Sequence, residues 1–344
     1  MKAAILTEPQ KIVVKNFDEP AVKPGEILIE IKSCGVCATD VKKYAGISKP
    51  PFLPFILGHE PSGIIKSFGN NSYKNFALGD RVSIAPVLTC GTCAGCISGR
   101  TSAEGMGICD NYEVIGFSIN GSFCEYFSIP AENVIKIPDT LSFKKAALIE
   151  PVAACANAVL RSQNTPPGIA VVLGSGFMGL VSMQIYKALG YQVVISDLIE
   201  ERLKLAKKLG ADFAINPQKE DLTKFVGEFT KGIGADSVIC AVGIKQLTET
   251  GINLLRKGGK IVLMASGGHE DKIQFNLNEL HYRQTVITGS VSYTKATYLW
   301  AIDLINQGKV NADLLITETG GLEDVGKMLE MTKNHMGIKN VMVL

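Results

Sequence analysis

Four cysteines fall within twenty residues as Cys90-x-x-Cys93-x-x-Cys96 followed by Cys109. Thiolates at such spacing are the usual donors of a closed, tetrahedral structural zinc site, which ties down a loop with little core of its own. The chain has nine cysteines, an odd number, and its start, MKAAILTEPQK, shows only a four-residue apolar run, from which no secretory leader is expected. A crowded cysteine set in that setting points to metal rather than to disulfides. A second constellation is Gly174-Ser-Gly176-Phe-Met-Gly179. The first glycine permits a tight turn and the second lets backbone approach a pyrophosphate. The third packs a helix, whose N-terminus faces the anion, against a strand. Asp197, eighteen residues past Gly179, is placed to accept hydrogen bonds from the adenosine ribose and to repel a 2′-phosphate. Leu198 beside it supplies no cation, so NAD is favoured over NADP. Phe177, Met178, Val242 and Gly243 are assigned to the same cofactor site.

The elements that must carry these residues differ between the two halves. Up to about residue 140 the pattern is strand-like and punctuated by glycine and proline. Ile27, Ile29 and Ile31 alternate with Glu26, Glu30 and Lys32, and Phe123, Glu125 and Phe127 interleave with Cys124, Tyr126 and Ser128, both as half-buried strands would. An antiparallel-rich β domain is expected there. From about residue 165, strand-like runs at 170–173, 192–196, 212–215, 237–241, 260–265 and 286–289 are separated mostly by helical segments such as Glu200–Leu209. Such alternation predicts a parallel, doubly wound sheet. Helices at about 295–306 and 322–333 and a strand at 339–344 follow.

Cys37, His59, Glu60 and Glu150 are scattered. A lone histidine is more often an ordinary core or surface group, and His269, His281 and His335 are read so; Cys34, Cys124, Cys155 and Cys240 are most simply small buried hydrophobes. However, Gly58-His59-Glu60-x-x-Gly63-x5-Gly69, Gly35-Val-Cys37-Ala-Thr39-Asp40, the cysteine lobe and the Gly174–Gly179 loop together resemble the zinc-dependent medium-chain alcohol and polyol dehydrogenases, over essentially the whole chain. The resemblance implies an α/β fold: a Rossmann NAD-binding domain at about residues 152–291, and a mainly β, GroES-like catalytic domain with a zinc lobe, formed by about 1–151 and 292–344. The cleft between them would hold nicotinamide and metal.

The same resemblance implies Cys37, His59 and a glutamate as catalytic zinc ligands, with one position open for a substrate oxygen or water. Thiolate, imidazole and carboxylate all suit zinc, which would act as a Lewis acid while hydride moves to or from NAD. Glu150-Pro151 matches the Glu-Pro pair of the polyol and threonine branches, so Glu150 is favoured as ligand, with Glu60 its competitor. Thr39 aligns with the hydroxyl that relays the alcohol proton, and Asp40 with the carboxylate that orients the zinc histidine. Lys42 stands where many relatives carry a proton-passing histidine; it could shuttle, pair with the cofactor or be surface charge. Tyr293 aligns with a tyrosine facing the metal in the polyol branch, or is a packing aromatic. Ser292 replaces the arginine of sorbitol dehydrogenases, Ser72 a frequent valine, and the stretch from Cys96 to Cys109 is longer than usual.

Thirty-five basic and thirty-three acidic residues give a net charge of +2. That balance, with no basic-aromatic interleaving around the lobe, speaks against a zinc-ribbon nucleic-acid binder. The longest apolar stretch, 169–183, is broken by glycines and serines and too short to span a membrane. The sequence thus predicts a cytoplasmic, NAD-linked zinc dehydrogenase of a secondary alcohol, polyol or sugar-derived, working as a homodimer or homotetramer. The rivals are an L-threonine dehydrogenase and a simple secondary-alcohol dehydrogenase; a metal-free quinone reductase would not keep both ligand sets.

Overall fold

A computed structural model describes residues 1–69, 73, 75–162, 168–268 and 271–344; Ser72 and His269 lie outside the described residues. The chain divides into two compact units, Met1–Pro151 with Ala301–Leu344, and Val152–Trp300. Both junctions fall inside helices, Ile149–Ser162 and Lys295–Asn306, so no turn residue marks them. The chain re-enters the first unit at Ala301, nine residues beyond the position read from sequence.

In the first unit a seven-stranded, almost wholly antiparallel sheet is centred on Glu26–Gly35. Its isoleucines at 27, 29 and 31 are buried while Glu26, Leu28, Glu30 and Lys32 are half-buried, the expected alternation. Glu60–Phe68 pairs along one edge of this strand. On the other edge, Tyr126–Pro130 pairs with its first half and Lys339–Val343 with its last three residues. The Phe123–Ser128 alternation is not realised as one strand. The strand begins at Tyr126, and Phe123 and Cys124 are both fully buried. The cause is the N-terminal hairpin, Lys2–Glu8 with Lys11–Asn16: Ala3 bridges Cys124 and Ala4 donates to the Phe123 carbonyl, so both faces of this segment are covered.

The second unit holds six parallel strands in the order 213–215, 192–196, 169–173, 235–240, 255–263, 286–289. Strand order reverses beside Ile169–Leu173, whose residues from Ala170 on are fully buried, as both faces of a parallel sheet require. Ligands in such sheets bind at the carboxyl end of the strands at that reversal. The sequence-read strands at 237–241 and 260–265 are shifted relative to Ala235–Cys240 and Leu255–Leu263, and the helix read at 322–333 opens with a 3-10 turn, Leu322–Asp324.

Candidate active site

Cys37 caps the short helix Ala38–Tyr44, and this turn places Asp40 beneath it. Asp40 is completely buried. It accepts hydrogen bonds from the backbone N–H groups of Cys37 (3.0 Å) and Gly58 (3.1 Å), and lies 3.3 Å from His59 Nδ1. A buried carboxylate with these partners fixes the imidazole so that Nδ1 carries the proton and Nε2 offers its lone pair. Burial opposes charge on His59, but Asp40 and then Cys37 outweigh it, and its pKa stands well above the ordinary histidine value. Phe117 packs edge-on to the same ring at 5.0 Å, with Lys43 Nζ 5.5 Å from the Phe117 centroid on its own face.

Cys37, His59 and Glu60 each bring a donor atom within 4.8 Å of the other two. Zinc bonds of about 2.0–2.3 Å give ligand separations inside that limit, so the set fits zinc. Three donors leave a position open, the mark of a catalytic rather than a structural site. Glu60, and not Glu150, completes this compact set. Glu150 nonetheless belongs to the same electrostatic cluster. Desolvation pushes its carboxyl up to about 7, with Glu60 and Asp40 adding to the rise and His59 and Lys339 opposing it. The Thr39 hydroxyl is buried without a hydrogen-bond partner, as a group awaiting a substrate oxygen would be. Lys42 is exposed on the same helix.

In the lobe the sulfur atoms of Cys90, Cys93, Cys96 and Cys109 all lie within 4.8 Å of one another. Sulfur–sulfur separations are 3.5 Å for Cys90–Cys109, 3.9 Å for Cys93–Cys109 and 4.0 Å for Cys90–Cys96. A tetrahedron with zinc–sulfur bonds of about 2.3 Å has edges of about 3.8 Å, so four thiolates fit zinc here too. Backbone N–H groups of Thr92 and Cys93 hold the Cys90 thiol down to about 6, and those of Asp110 and Cys96 lower Cys93, while desolvation pushes Cys96 up to about 11. The lengthened stretch folds into a helical turn, Arg100–Glu104, and a 3-10 turn, Met106–Ile108, which together return Cys109 to the set.

In the second unit Gly174 turns at φ +96°, and a Cβ on Gly179 would stand 1.8 Å from the Gly174 carbonyl oxygen. The helix Phe177–Ala188 therefore approaches the strand as only glycine allows. Asp197 accepts hydrogen bonds from the backbone of Ser175 (2.6 Å) and Ile199 (2.9 Å), fixing the loop. A Cβ on Gly174 would meet the Val242 side chain, so Val242 stands against the loop, while one on Gly243, the next residue, would meet the Ser266 carbonyl. Ser175 Oγ is buried and unpartnered, and a cavity of about 440 Å³ opens beside Ser196, Leu222 and Leu247. The loop itself fits the pyrophosphate of a dinucleotide.

The model of the alcohol dehydrogenase GroES-like domain matches residues 23–139, and that of the zinc-binding dehydrogenases matches residues 178–307. An alcohol dehydrogenase of Geobacillus stearothermophilus is 34% identical, over 96% of this chain and 95% of the relative. A sorbitol dehydrogenase of Halalkalibacterium halodurans is 32% identical over 98% of each. The chain belongs to the zinc-dependent medium-chain alcohol and polyol dehydrogenases. Among solved structures, an alcohol dehydrogenase of Escherichia coli CFT073 complexed with NADH superposes with a TM-score of 0.90 at 28% identity, covering 100% of this chain and 99% of that one.

The dehydrogenase holds one group beside the Cys37, His59 and Glu60 donors that sequence reasoning missed. Lys339 is only 5% exposed and lies 2.5–2.6 Å from both carboxylate oxygens of Glu60, itself 1% exposed. Burial pulls the Lys339 pKa down, but Glu60, Cys37 and Glu150 prevail and raise it. At 279 residues from Glu60, it carries no local signal. Lys43 and Phe117 were also missed. Tyr293 is fully buried, its ring centroid 5.1 Å from that of Tyr298. Ser292 beside it takes a left-handed φ of +61°.

Proposed function

We propose that this dehydrogenase oxidises a secondary alcohol of a polyol or sugar-derived molecule to the ketone, with NAD as hydride acceptor, and runs the reverse reduction. The observation that carries the reading is the three-donor set of Cys37, His59 and Glu60 beside a buried, unpartnered Thr39 hydroxyl. When bound, zinc supplies a Lewis acid for the alcohol oxygen and NAD the hydride acceptor. Thr39 Oγ1 accepts the alcohol proton while its own hydroxyl proton passes on toward solvent, and Lys42, exposed three residues later, stands beside that path as a positive charge. Asp40 holds the His59 ring so that Nε2 stays a donor. Glu150, its carboxyl pushed up to about 7, takes a proton more readily than an ordinary glutamate and serves as a hydrogen-bond partner to substrate hydroxyls. Asp197 reads the ribose hydroxyls. Neighbouring hydroxyls on the substrate are matched by such groups, whereas an apolar alcohol leaves them unpaired, and sites built on hydrogen bonds discriminate strongly for that reason.

The assembly is a homodimer or homotetramer. Tyr282 (74% exposed), Leu277 (74%) and Val291 (69%) flank the edge strand Val286–Gly289, and apolar side chains grouped at an unpaired edge favour burial against a second copy. A cytoplasmic location keeps the thiols of both zinc sets reduced. Among the described residues no helix is long and apolar enough to cross a membrane. The test is a panel of vicinal polyols, sugar acids, L-threonine, 2-propanol and 2-butanol on the zinc-loaded enzyme, scored by NADH formation. A polyol or sugar-derived alcohol ranks first, and sorbitol is not the best of them. Superiority of a simple alcohol or of L-threonine overturns the reading.

A further inference from the structure

Glu60 is asked to do two things at once. One of its oxygens lies within ligand distance of Cys37 and His59, while both face a buried ammonium at 2.5–2.6 Å. The backbone explains how Lys339 gets there. Glu60 pairs with Gly35 from one side of the central strand, and the Lys339 strand pairs with the same residue, through Val341, from the other. Glu60 and Lys339 therefore meet by reaching across Gly35, where no side chain stands between them. A Cβ on Gly35 would lie 1.9 Å from Glu60 Oε2 and 3.0 Å from Lys339 Cε.

We propose that Lys339 is a positioning residue that holds the Glu60 carboxylate in an ion pair and thereby weakens and tunes binding of a divalent cation by Cys37, His59 and Glu60. The inference rests on the reading of those three residues as metal donors. An ammonium that donates to Oε1 at 2.6 Å and lies in ion-pair contact with Oε2 withdraws negative charge from the ligand. It also places a positive charge beside the cation in surroundings that screen poorly. Both effects oppose metal binding. Removing the ammonium leaves a buried, uncompensated carboxylate with the cation as its best partner, so the metal is held more tightly and Glu60 is fixed on it.

The experiment is a zinc competition titration of the full-length, metal-stripped protein against a chromophoric chelator, with Cys37→Ser identifying which of the two zinc ions belongs to this site. Lys339→Met tightens that zinc by about tenfold or more, the scale on which groups behind metal ligands act. In a Glu60→Gln background the same substitution tightens zinc less, because only the direct repulsion between the two positive charges is relieved there. Lys339→Arg, which keeps the charge, leaves affinity near the wild-type value. A merely structural lysine would lower thermal stability but could not raise affinity. Equal or weaker zinc binding by folded Lys339→Met overturns the proposal, as does tightening of undiminished size in Glu60→Gln. If Lys339→Met does not fold, a tenfold gain in Lys339→Arg overturns it instead. Unchanged zinc content in Cys37→Ser would sink the metal-donor reading itself, a result separate from any of these.

Discussion

Replacing Gly35 by alanine adds one methyl group at the most crowded point of the metal unit. Its Cβ would stand 1.9 Å from Glu60 Oε2, and real Cβ atoms essentially never come closer than 3.0 Å, so the carboxylate must retreat by at least 1.1 Å. Lys339 cannot simply follow, because its Cε is already 3.0 Å from the same methyl. A shift of that size opens ion-pair contacts of 2.5–2.6 Å between two buried groups. Breaking a buried pair costs about 3–5 kcal/mol when one charge is left without a partner. Partial re-pairing at longer distance offsets some of this, and the expected loss for Gly35→Ala is about 2–4 kcal/mol. The assay is chemical unfolding, comparing midpoint and slope with wild type. Gly227→Ala is the control: that glycine lies in the helix Leu222–Phe229, and its Cβ would meet nothing within 4 Å. It should be neutral or slightly stabilising. A loss below about 1 kcal/mol in Gly35→Ala, the level of an ordinary substitution, would refute the argument that Glu60 and Lys339 depend on an absent side chain.

Thr39→Val should lower turnover by about a hundredfold or more, the scale of a lost proton-transfer group, while zinc content and NADH fluorescence quenching stay at wild-type levels; retention of half the activity would remove Thr39 from the proton path. Asp197→Gly should narrow a wild-type preference for NAD over NADP of about tenfold or more, because it removes both the ribose acceptor and the repulsion of a 2′-phosphate. It also frees the backbone of Ser175, so the Michaelis constant for NAD should rise; kcat/KM with each cofactor reads both effects. Cys109→Ser should remove one zinc per chain by metal analysis and lower the melting temperature, since its sulfur sits within 3.5–3.9 Å of two others.

Much of this protein was legible from sequence because the information was local. The glycine loop, its strand and helix, and Asp197 lie within thirty residues, so their spacing marked one strand–loop–helix unit, which the structure sets where the parallel sheet reverses. The cysteine lobe was legible for the same reason. The Ile27–Ile31 alternation survived because that strand has one face on the core. Phe123 and Cys124 broke the pattern because the N-terminal hairpin, distant in sequence, covers their second face. The choice between Glu60 and Glu150 was not settled by motif, since both carboxyls enter one buried cluster and only distance ranks them. Lys339 could not be read at all. A buried lysine is recognised by its partner, and the partner comes from another strand of the sheet.

The pairing of Lys339–Val343 with Glu26–Gly35 also sets an order of events during synthesis. The second unit, Val152–Trp300, is one uninterrupted stretch with a sheet of its own, and it can fold as soon as it leaves the ribosome. The first unit cannot finish then. Its central strand must wait, with the edge beside Ser33, Cys34 and Gly35 unpaired, until the Lys339 strand has been translated. Contacts of such sequence separation are slow to form, and an open edge is a template for aggregation in the interval. The charge that neutralises Glu60 arrives with that same strand. Completion of the sheet and completion of the metal pocket are therefore one late event, and a chain that stalls before it carries the Cys37 and His59 donors without the strand that holds Glu60 in place.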